Sequence, residues 1–190
     1  KAVRRDNMRV DEYRHIQNRL RAQGIGTMTD YIIPMPMETY ESVLDGISEI
    51  ISDGQHDRIQ FNNLSILPNA EMGDPEYQEM YGMEIVRTPI TNIHGKKNAS
   101  ISGIEEYQYL VIATNTMPRE AWVKTRALCY MVAFVYFNKL LQIPIIVLHE
   151  VYGIPYQKIF EMFMEKSTEP DTFPIFTEAL NFFKEFSRGI

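Results

Sequence analysis

Two apolar, strand-like runs in the first third of the chain, each preceded by a helical segment, constrain the fold more than any other feature. The runs are TMTDYIIP at residues 27–34 and DRIQFNNLSIL at residues 57–67. Thr39 stands where a helix over residues 40–54 would be capped. The segment before the first run has apolar residues at helical spacing: Val10, Tyr13, Ile16 and Leu20. Helices that alternate with strands over short turns are typical of a parallel sheet, so we predict an α/β fold.

The remainder of the chain is predicted to be mainly helical. Residues 68–90 mix turn-forming, acidic and aromatic residues, which favours an irregular excursion with one short helix near residues 75–81. Residues 90–103 are predicted to be a polar loop, residues 106–116 a strand, and the next residues a long helix that Pro144 ends. Three further helices are predicted from PIIVLHEVYG, PYQKIFEMFMEKS and PIFTEALNFFKEFSR. We divide the chain into residues 1–68 and a mainly helical domain of residues 69–190.

Charge and cysteine content exclude several classes of protein. The net charge is −6, and no run of basic residues is longer than the pair at 96–97, so a nucleic acid partner is not expected. The single cysteine, Cys129, excludes an internal disulfide and a multi-cysteine metal site, and a reducing, cytoplasmic setting is expected. The four histidines show no metal-binding spacing, so no metal site is predicted within this chain. The first ten residues resemble neither a signal peptide nor a natural start, and we expect a piece of a longer protein.

One apolar stretch, residues 127–148, is long enough to be compared with a membrane span. It is interrupted by Asn138, Lys139, Gln142 and Pro144. A lysine near the centre of a span costs about 2.5–3.5 kcal/mol on insertion, and the proline divides the run. We therefore predict a buried helix and no membrane span.

The corner after the first strand is the first candidate for a ligand site. Ligands of parallel α/β proteins bind beyond the carboxyl ends of the strands, and Pro34–Glu38 occupies such an end. Alternation along the second strand separates amides from apolar residues, with Gln60 and Asn62 on one face and Ile59 and Phe61 on the other. We expect the amides to face the same interior as the corner, with Glu38 as its only charged group.

Three segments carry a resemblance to a known family. RRDN, GIGTMTDYIIPMPMETYES and NNLSILPNAEM, in this order and spacing, resemble the closing part of the core of radical S-adenosylmethionine (SAM) enzymes. YQEMYGMEIVRTPI and YLVIATNTMPREAW are similar to the C-terminal region of the cobalamin-binding branch of that superfamily. The resemblance implies the last strands and helices of a partial (β/α) TIM-type barrel, followed by the helical region.

The same resemblance implies the chemistry of a longer protein. Radical SAM enzymes use S-adenosylmethionine and a 4Fe-4S cluster, and this branch adds cobalamin, for methyl transfer or other radical chemistry on a small-molecule substrate. The CxxxCxxC loop that holds the cluster is absent, so we expect a missing N-terminal half to supply it, and this chain alone to hold none of the three cofactors. The glycines of the usual corner are replaced by Pro34 and Met37, which are expected to crowd a ligand.

Carried over residue by residue, the resemblance names six candidate cofactor-binding residues. Arg5 matches a basic group near the SAM carboxylate, and Ile32 and Ile33 match the strand whose backbone borders the adenine. A surface arginine and two core isoleucines are the alternative interpretations.

The other three candidates lie at the corner and on the last strand. Glu38 matches the acid that orients the corner, although an acid at a helix start would also stabilise the helix dipole. Asn62 and Leu64 match the last barrel strand. Two other functions stay open: a non-catalytic binding or interaction module with an apolar docking surface on the helices after Pro118, and a barrel remnant kept for structure alone.

Overall fold

The computed structural model describes residues 9–90 and 106–190, and every structural statement below concerns those residues. Arg5 and most of the predicted loop at 90–103 therefore lie outside the described residues. The elements in chain order are α1 (Val10–Ala22), β1 (Met28–Ile33), α2 (Tyr40–Ser52), β2 (Arg58–Asn63), β3 (Ser65–Ile66), a 3₁₀ turn (Glu71–Gly73), α3 (Pro75–Met80), β4 (Glu84–Pro89), β5 (Tyr107–Ala113), α4 (Arg119–Val132), a π-helical turn (Ala133–Phe137), α5 (Gln142–Glu150), α6 (Tyr156–Lys166) and α7 (Pro174–Arg188).

The predicted parallel pair is confirmed. β1 and β2 pair in parallel from Met28 opposite Arg58 to Ile33 opposite Asn63, and α2 forms the crossover between them. The start of α2 is fixed by a capping box in which the Thr39 side chain accepts from the Ser42 N–H and the Ser42 hydroxyl accepts from the Thr39 N–H. The alternation of strand and helix in the sequence therefore predicted this unit correctly.

The strands β3, β5 and β4 form an antiparallel sheet that meets the parallel pair at one residue. The Leu64 N–H donates to the Ile33 carbonyl at 2.7 Å, and its carbonyl accepts from the Val111 N–H at 2.9 Å. The prediction that residues 84–89 are irregular is wrong, because β4 pairs with β5 along its whole length. β4 is an edge strand with mostly exposed or half-buried residues, so its sequence has no clean alternation of apolar and polar side chains.

The main core lies on one face of these strands and is covered by α2, α4, α6 and α7. It contains residues from both sides of position 68, among them Ile33, Ile47, Ile112, Trp122, Leu128 and Phe160. The α/β class is therefore confirmed. The described strands form no closed barrel, so the partial barrel and the division at residue 68 remain predictions.

The predicted long helix up to Pro144 is broken earlier. It ends at Phe137 after the π-helical turn, Lys139 adopts a left-handed backbone with φ of 65°, and α5 starts at Gln142. Pro144 lies within the first turn of α5, where the N–H that proline lacks would have no partner inside the helix. The lysine thus ends one helix, and the proline is accommodated at the start of the next.

The apolar stretch at 127–137 is packed in the core as predicted, with Ala127, Leu128, Val132, Val135 and Tyr136 fully buried. Within residues 9–90 and 106–190 no single helix is long and apolar enough to cross a membrane. One pair, Arg119–Phe137 and Gln142–Glu150, meets the length and composition of a span together, but it is bent by 91°.

Candidate functional site

The face of β1 and β2 turned away from the core carries three connected polar side chains. Asn62 Nδ2 donates to Asp30 Oδ1 at 3.0 Å, and Gln60 Nε2 donates to Asn62 Oδ1 at 3.3 Å. We call Asp30, Gln60 and Asn62 the polar ledge. Asp30 is exposed and the two amides are half-buried, so each retains hydrogen-bonding atoms that a ligand can use.

Asp30 was missed by sequence reasoning as a member of this face. The two-residue alternation of β1 places Asp30 on the same face as Ile32, and the parallel register brings it opposite Gln60 and within reach of Asn62. That signal was present in the sequence once β1 and β2 were aligned.

An apolar cluster continues the same face beyond the ledge. Leu64 and Ile66 follow Gln60 and Asn62 at two-residue spacing, and they pack with Val111 from β5. Half-buried side chains surround these three: Ile32, Met35, Met72, Met83 and Ile85. We call these eight residues the methionine cluster. Flexible, polarizable methionines suit a surface that adapts to a ligand.

The corner that follows β1 is fastened by Glu38. The Glu38 carboxylate accepts from the Met35 N–H at 2.8 Å, and the Glu38 carbonyl accepts from Thr116 Oγ1 at 2.7 Å. Burial raises the pKa of Glu38, and the bond from the Met35 N–H partly opposes that rise. The first turn of α2 is capped by Thr39 and Ser42, so the carboxylate orients the corner instead of capping the helix.

The corner position where the resemblance expects a second glycine is Met37, and its φ is 72°. This left-handed backbone explains why the resemblance expects glycine at this position, since residues with a Cβ rarely adopt it. The Met37 side chain is 67% exposed, so it extends into solvent. Pro34, by contrast, is buried.

Four of the six predicted site residues converge. Ile32 and Leu64 share the methionine cluster, Asn62 lies beside them on the ledge, and Glu38 holds Met35, another member of that cluster. Ile33 is fully buried in the main core and its carbonyl is bonded to Leu64, so its side chain faces away from this site. Arg5 lies outside the described residues.

Sequence reasoning also missed Asn63, on the opposite face. Its Nδ2 donates to the Val111 carbonyl at 2.8 Å, and its Oδ1 accepts from Trp122 Nε1 at 3.0 Å. Asn63 thereby joins β2, β5 and α4 beneath the site. Nothing in the sequence distinguished it from Asn62 except the alternation of the strand.

Comparison with known proteins gives a consistent picture. No family model matches the sequence. Over 172 residues the chain is 34% identical to the cobalamin-dependent radical SAM methyltransferase TokK of Streptomyces tokunonensis, an alignment that covers 90% of this chain and 25% of the relative. This chain corresponds to part of a cobalamin-type radical SAM enzyme.

A second relative is the 2-(S-pantetheinyl)-carbapenam-3-carboxylate methyltransferase of Streptantibioticus cattleyicolor. It is 28% identical over 172 residues, again 90% of this chain and 25% of the relative. The chain thus spans about a quarter of the length of both curated relatives.

The residues of this radical SAM segment do not fit a 4Fe-4S cluster. Such a cluster needs several converging thiolates, whereas Cys129 is 1% exposed and burial raises its pKa to about 12. Within residues 9–90 and 106–190 no three histidine, cysteine or acidic side chains are grouped so as to hold a metal ion. The polar ledge and the methionine cluster instead offer a ligand hydrogen-bonding groups beside apolar surface.

Proposed function

We propose that this chain supplies one wall of the catalytic cavity in a longer cobalamin-dependent radical SAM methyltransferase. The observation that carries the proposal is the contrast between the faces of β1 and β2. One face is packed in the core, and the other carries the polar ledge and the methionine cluster next to the Pro34–Glu38 corner. Ligands bind at this end of the strands in parallel α/β proteins, and the similarity to two methyltransferases supports the assignment.

Each group on this wall has a role suited to its chemistry. The Asp30 carboxylate accepts hydrogen bonds from ligand hydroxyl or amino groups, and the Asn62 amide holds that carboxylate in place. Glu38 positions the corner through the Met35 N–H. Bound S-adenosylmethionine would supply the group that is transferred, and the part of the enzyme outside this chain would supply the cluster and the cobalamin site.

The substrate is proposed to be a small molecule that contacts the methionine cluster. One relative is named for methyl transfer to a 2-(S-pantetheinyl)-carbapenam-3-carboxylate, which combines a bicyclic lactam with an anionic group. An apolar cluster beside amide side chains suits the uncharged part of such a molecule. We extend only methyl transfer and the small-molecule class to this chain.

Asn62→Leu and Asp30→Asn in the longer enzyme test the proposal. Asn62→Leu removes the amide and Asp30→Asn removes the negative charge of the ledge, so we expect kcat/KM for methyl transfer to fall about 10- to 100-fold. The midpoint of thermal unfolding should stay close to that of the unmodified enzyme. Asp45→Asn, on the exposed side of α2, is the matched control. If kcat/KM were unchanged in both ledge variants, the polar ledge would not be part of the catalytic site.

A non-catalytic docking module is the second candidate, and exposed apolar side chains on the helices favour it. Ile143 and Val151 are 75% and 70% exposed, and Phe182 on α7 is 64% exposed. The occupant would be the remainder of the longer protein. In that case Ile143→Glu with Val151→Glu should separate the two parts in a co-purification, and Asn62→Leu should leave every measured property unchanged.

A further inference from the structure

A buried cation without a counter-ion lies in α4. Arg126 is 7% exposed, and its Nε is buried with no hydrogen-bond partner. Within residues 9–90 and 106–190 the guanidinium has no acidic partner, and it lies 5.9 and 4.9 Å from the ring centres of Trp122 and Tyr130. A buried, unpaired charge is costly, so this cation needs a further explanation.

The contact that Arg126 does make directs its charge to a neighbouring side chain. Arg126 Nη2 donates to the Tyr130 hydroxyl, so the hydroxyl oxygen is an acceptor and its own proton remains available. A phenol that accepts from a guanidinium is a stronger donor, because the two bonds polarise each other. Tyr130 therefore presents a polarised O–H.

Tyr130 is one of the residues that line a groove along the open edge of β2. The groove has a volume of about 280 Å³, and its apolar lining includes Phe61 and Phe137. Arg58 and the amides of Gln60 and Asn138 also line it. No acidic side chain is among the described residues that line the groove, although the chain as a whole has a net charge of −6.

We infer that this β2-edge groove binds a carboxylate that carries an apolar group. The Tyr130 O–H and the Arg58 guanidinium bind the carboxylate oxygens, and the apolar group packs on Phe61 and Phe137. Arg126 is a positioning residue that acts through Tyr130. The inference does not depend on the proposed function, because the groove, its charge and its test involve no catalysis.

Sodium benzoate is the probe, and the neutral benzamide is its matched control. Trp122 is the only tryptophan of the chain and its ring lies 5.9 Å from the Arg126 guanidinium, so its emission reports on the site. We expect saturable binding of benzoate by the full chain, measured by Trp122 emission and by calorimetry, and much weaker binding of benzamide. Equal affinity for the two compounds, or no saturable binding of benzoate, would overturn the inference.

Tyr130→Phe removes one hydroxyl and retains the ring that packs on Phe183 and Phe186. It should weaken benzoate binding about 10- to 100-fold, the loss expected for a hydrogen bond to a charged group. Arg126→Met should weaken it similarly, and Arg126→Lys should restore part of the preference for benzoate over benzamide. Tyr152→Phe, on an exposed turn, should change nothing. Undiminished binding by Tyr130→Phe would contradict the inference.

The carboxylate can come from a free small molecule or from an acidic side chain elsewhere in a longer protein. Titration of the longer protein with benzoate distinguishes a free small molecule from an acidic side chain. Binding of benzoate there would indicate a free ligand. Failure to bind, together with a lower unfolding midpoint for Tyr130→Phe in the longer protein alone, would indicate an acidic side chain that already fills the groove.

Discussion

Asn62 and Asn63 are neighbours with the same side chain, yet they lie in opposite environments. Asn63 faces the core, and two of its hydrogen bonds join the fully buried Val111 and Trp122 to β2. Asn62 faces the open side, and it bonds only to other ledge residues. The polar groups of the core face are hydrogen-bonded within the protein, whereas those of the open face remain available to a ligand.

The same difference holds farther along the core face, near the start of β1. Gln55 is 1% exposed, and its Nε2 donates to the hydroxyls of Thr27 and Thr29. Those hydroxyls are bonded in turn to Gln17 and Tyr13 of α1. This closed network attaches α1 to the sheet, so its polar atoms stabilise the fold and are not free to bind a ligand.

The largest expected effect comes from Asn63→Leu. This change removes the side-chain partners of the Val111 carbonyl and the Trp122 N–H, each at about 1–3 kcal/mol, so the free energy of unfolding should fall by about 2–6 kcal/mol. Urea denaturation followed by Trp122 emission measures it. Asn62→Leu is the control and should change stability by less than about 1 kcal/mol. Equal losses in the two variants would break the distinction between the faces.

Gln55→Leu tests the same distinction at the α1 network. It removes hydrogen bonds to two threonine hydroxyls and to the N–H groups of Asp57 and Arg58, so we expect a loss of about 1–3 kcal/mol. Gln60→Leu, on the open face of β2, is the matched control and should cost less than about 1 kcal/mol. If Gln60→Leu lowered the free energy of unfolding more than Gln55→Leu, the polar ledge would be needed for stability of the fold.

Met37→Gly should be a stabilising change at the corner. Glycine adopts the left-handed backbone of this position without the penalty of about 1–2 kcal/mol that a Cβ brings, and it loses part of that gain through a more flexible unfolded chain. A net gain of about 0.5–1 kcal/mol is expected in urea denaturation. Met28→Gly, at a similarly exposed position within β1, should instead destabilise by about that amount. The same sign for both changes would contradict this account of the corner.

Glu38→Gln should have the smallest effect, and its sign depends on pH. Burial raises the folded-state pKa of Glu38, so the folded protein binds the proton more tightly than the unfolded chain does. Stability from this group is therefore present at low pH and is lost as pH rises above the ordinary value of 4.5. Since Gln stays neutral and can accept from the Met35 N–H, the variant should be the more stable one above that range and not below it.

Glu41→Gln provides a control of opposite sign. Backbone and Thr39 hydrogen bonds lower the pKa of Glu41 at the start of α2, so its stabilisation is present above the ordinary range and is lost in acid. Unfolding midpoints between pH 3 and pH 8 (about the range in which carboxylates titrate) compare the two variants. Parallel pH profiles would show that burial does not set the pKa of Glu38.

Much of the first third of the fold was predictable from the sequence. Apolar periodicity located α1 and α2, Thr39 marked the start of α2, and strand alternation separated Gln60 and Asn62 from Ile59 and Phe61. Motif order also indicated the family, which the similarity to TokK bears out. These features are local, since each depends on residues within one or two turns of helix or a single strand.

Other features were decided by the tertiary structure alone. Asn63 is a structural residue because its partners lie 48 and 59 positions away in the chain, beyond the reach of any local pattern. β4 is a strand because β5 pairs with it, and the packing of α4 buries Arg126 with no acidic partner among residues 9–90 and 106–190. The sequence by itself determined the helices and strands of the first third, α1, β1, α2 and β2. Contacts between residues far apart in the sequence decided which polar groups are hydrogen-bonded within the fold and which are left to bind a ligand.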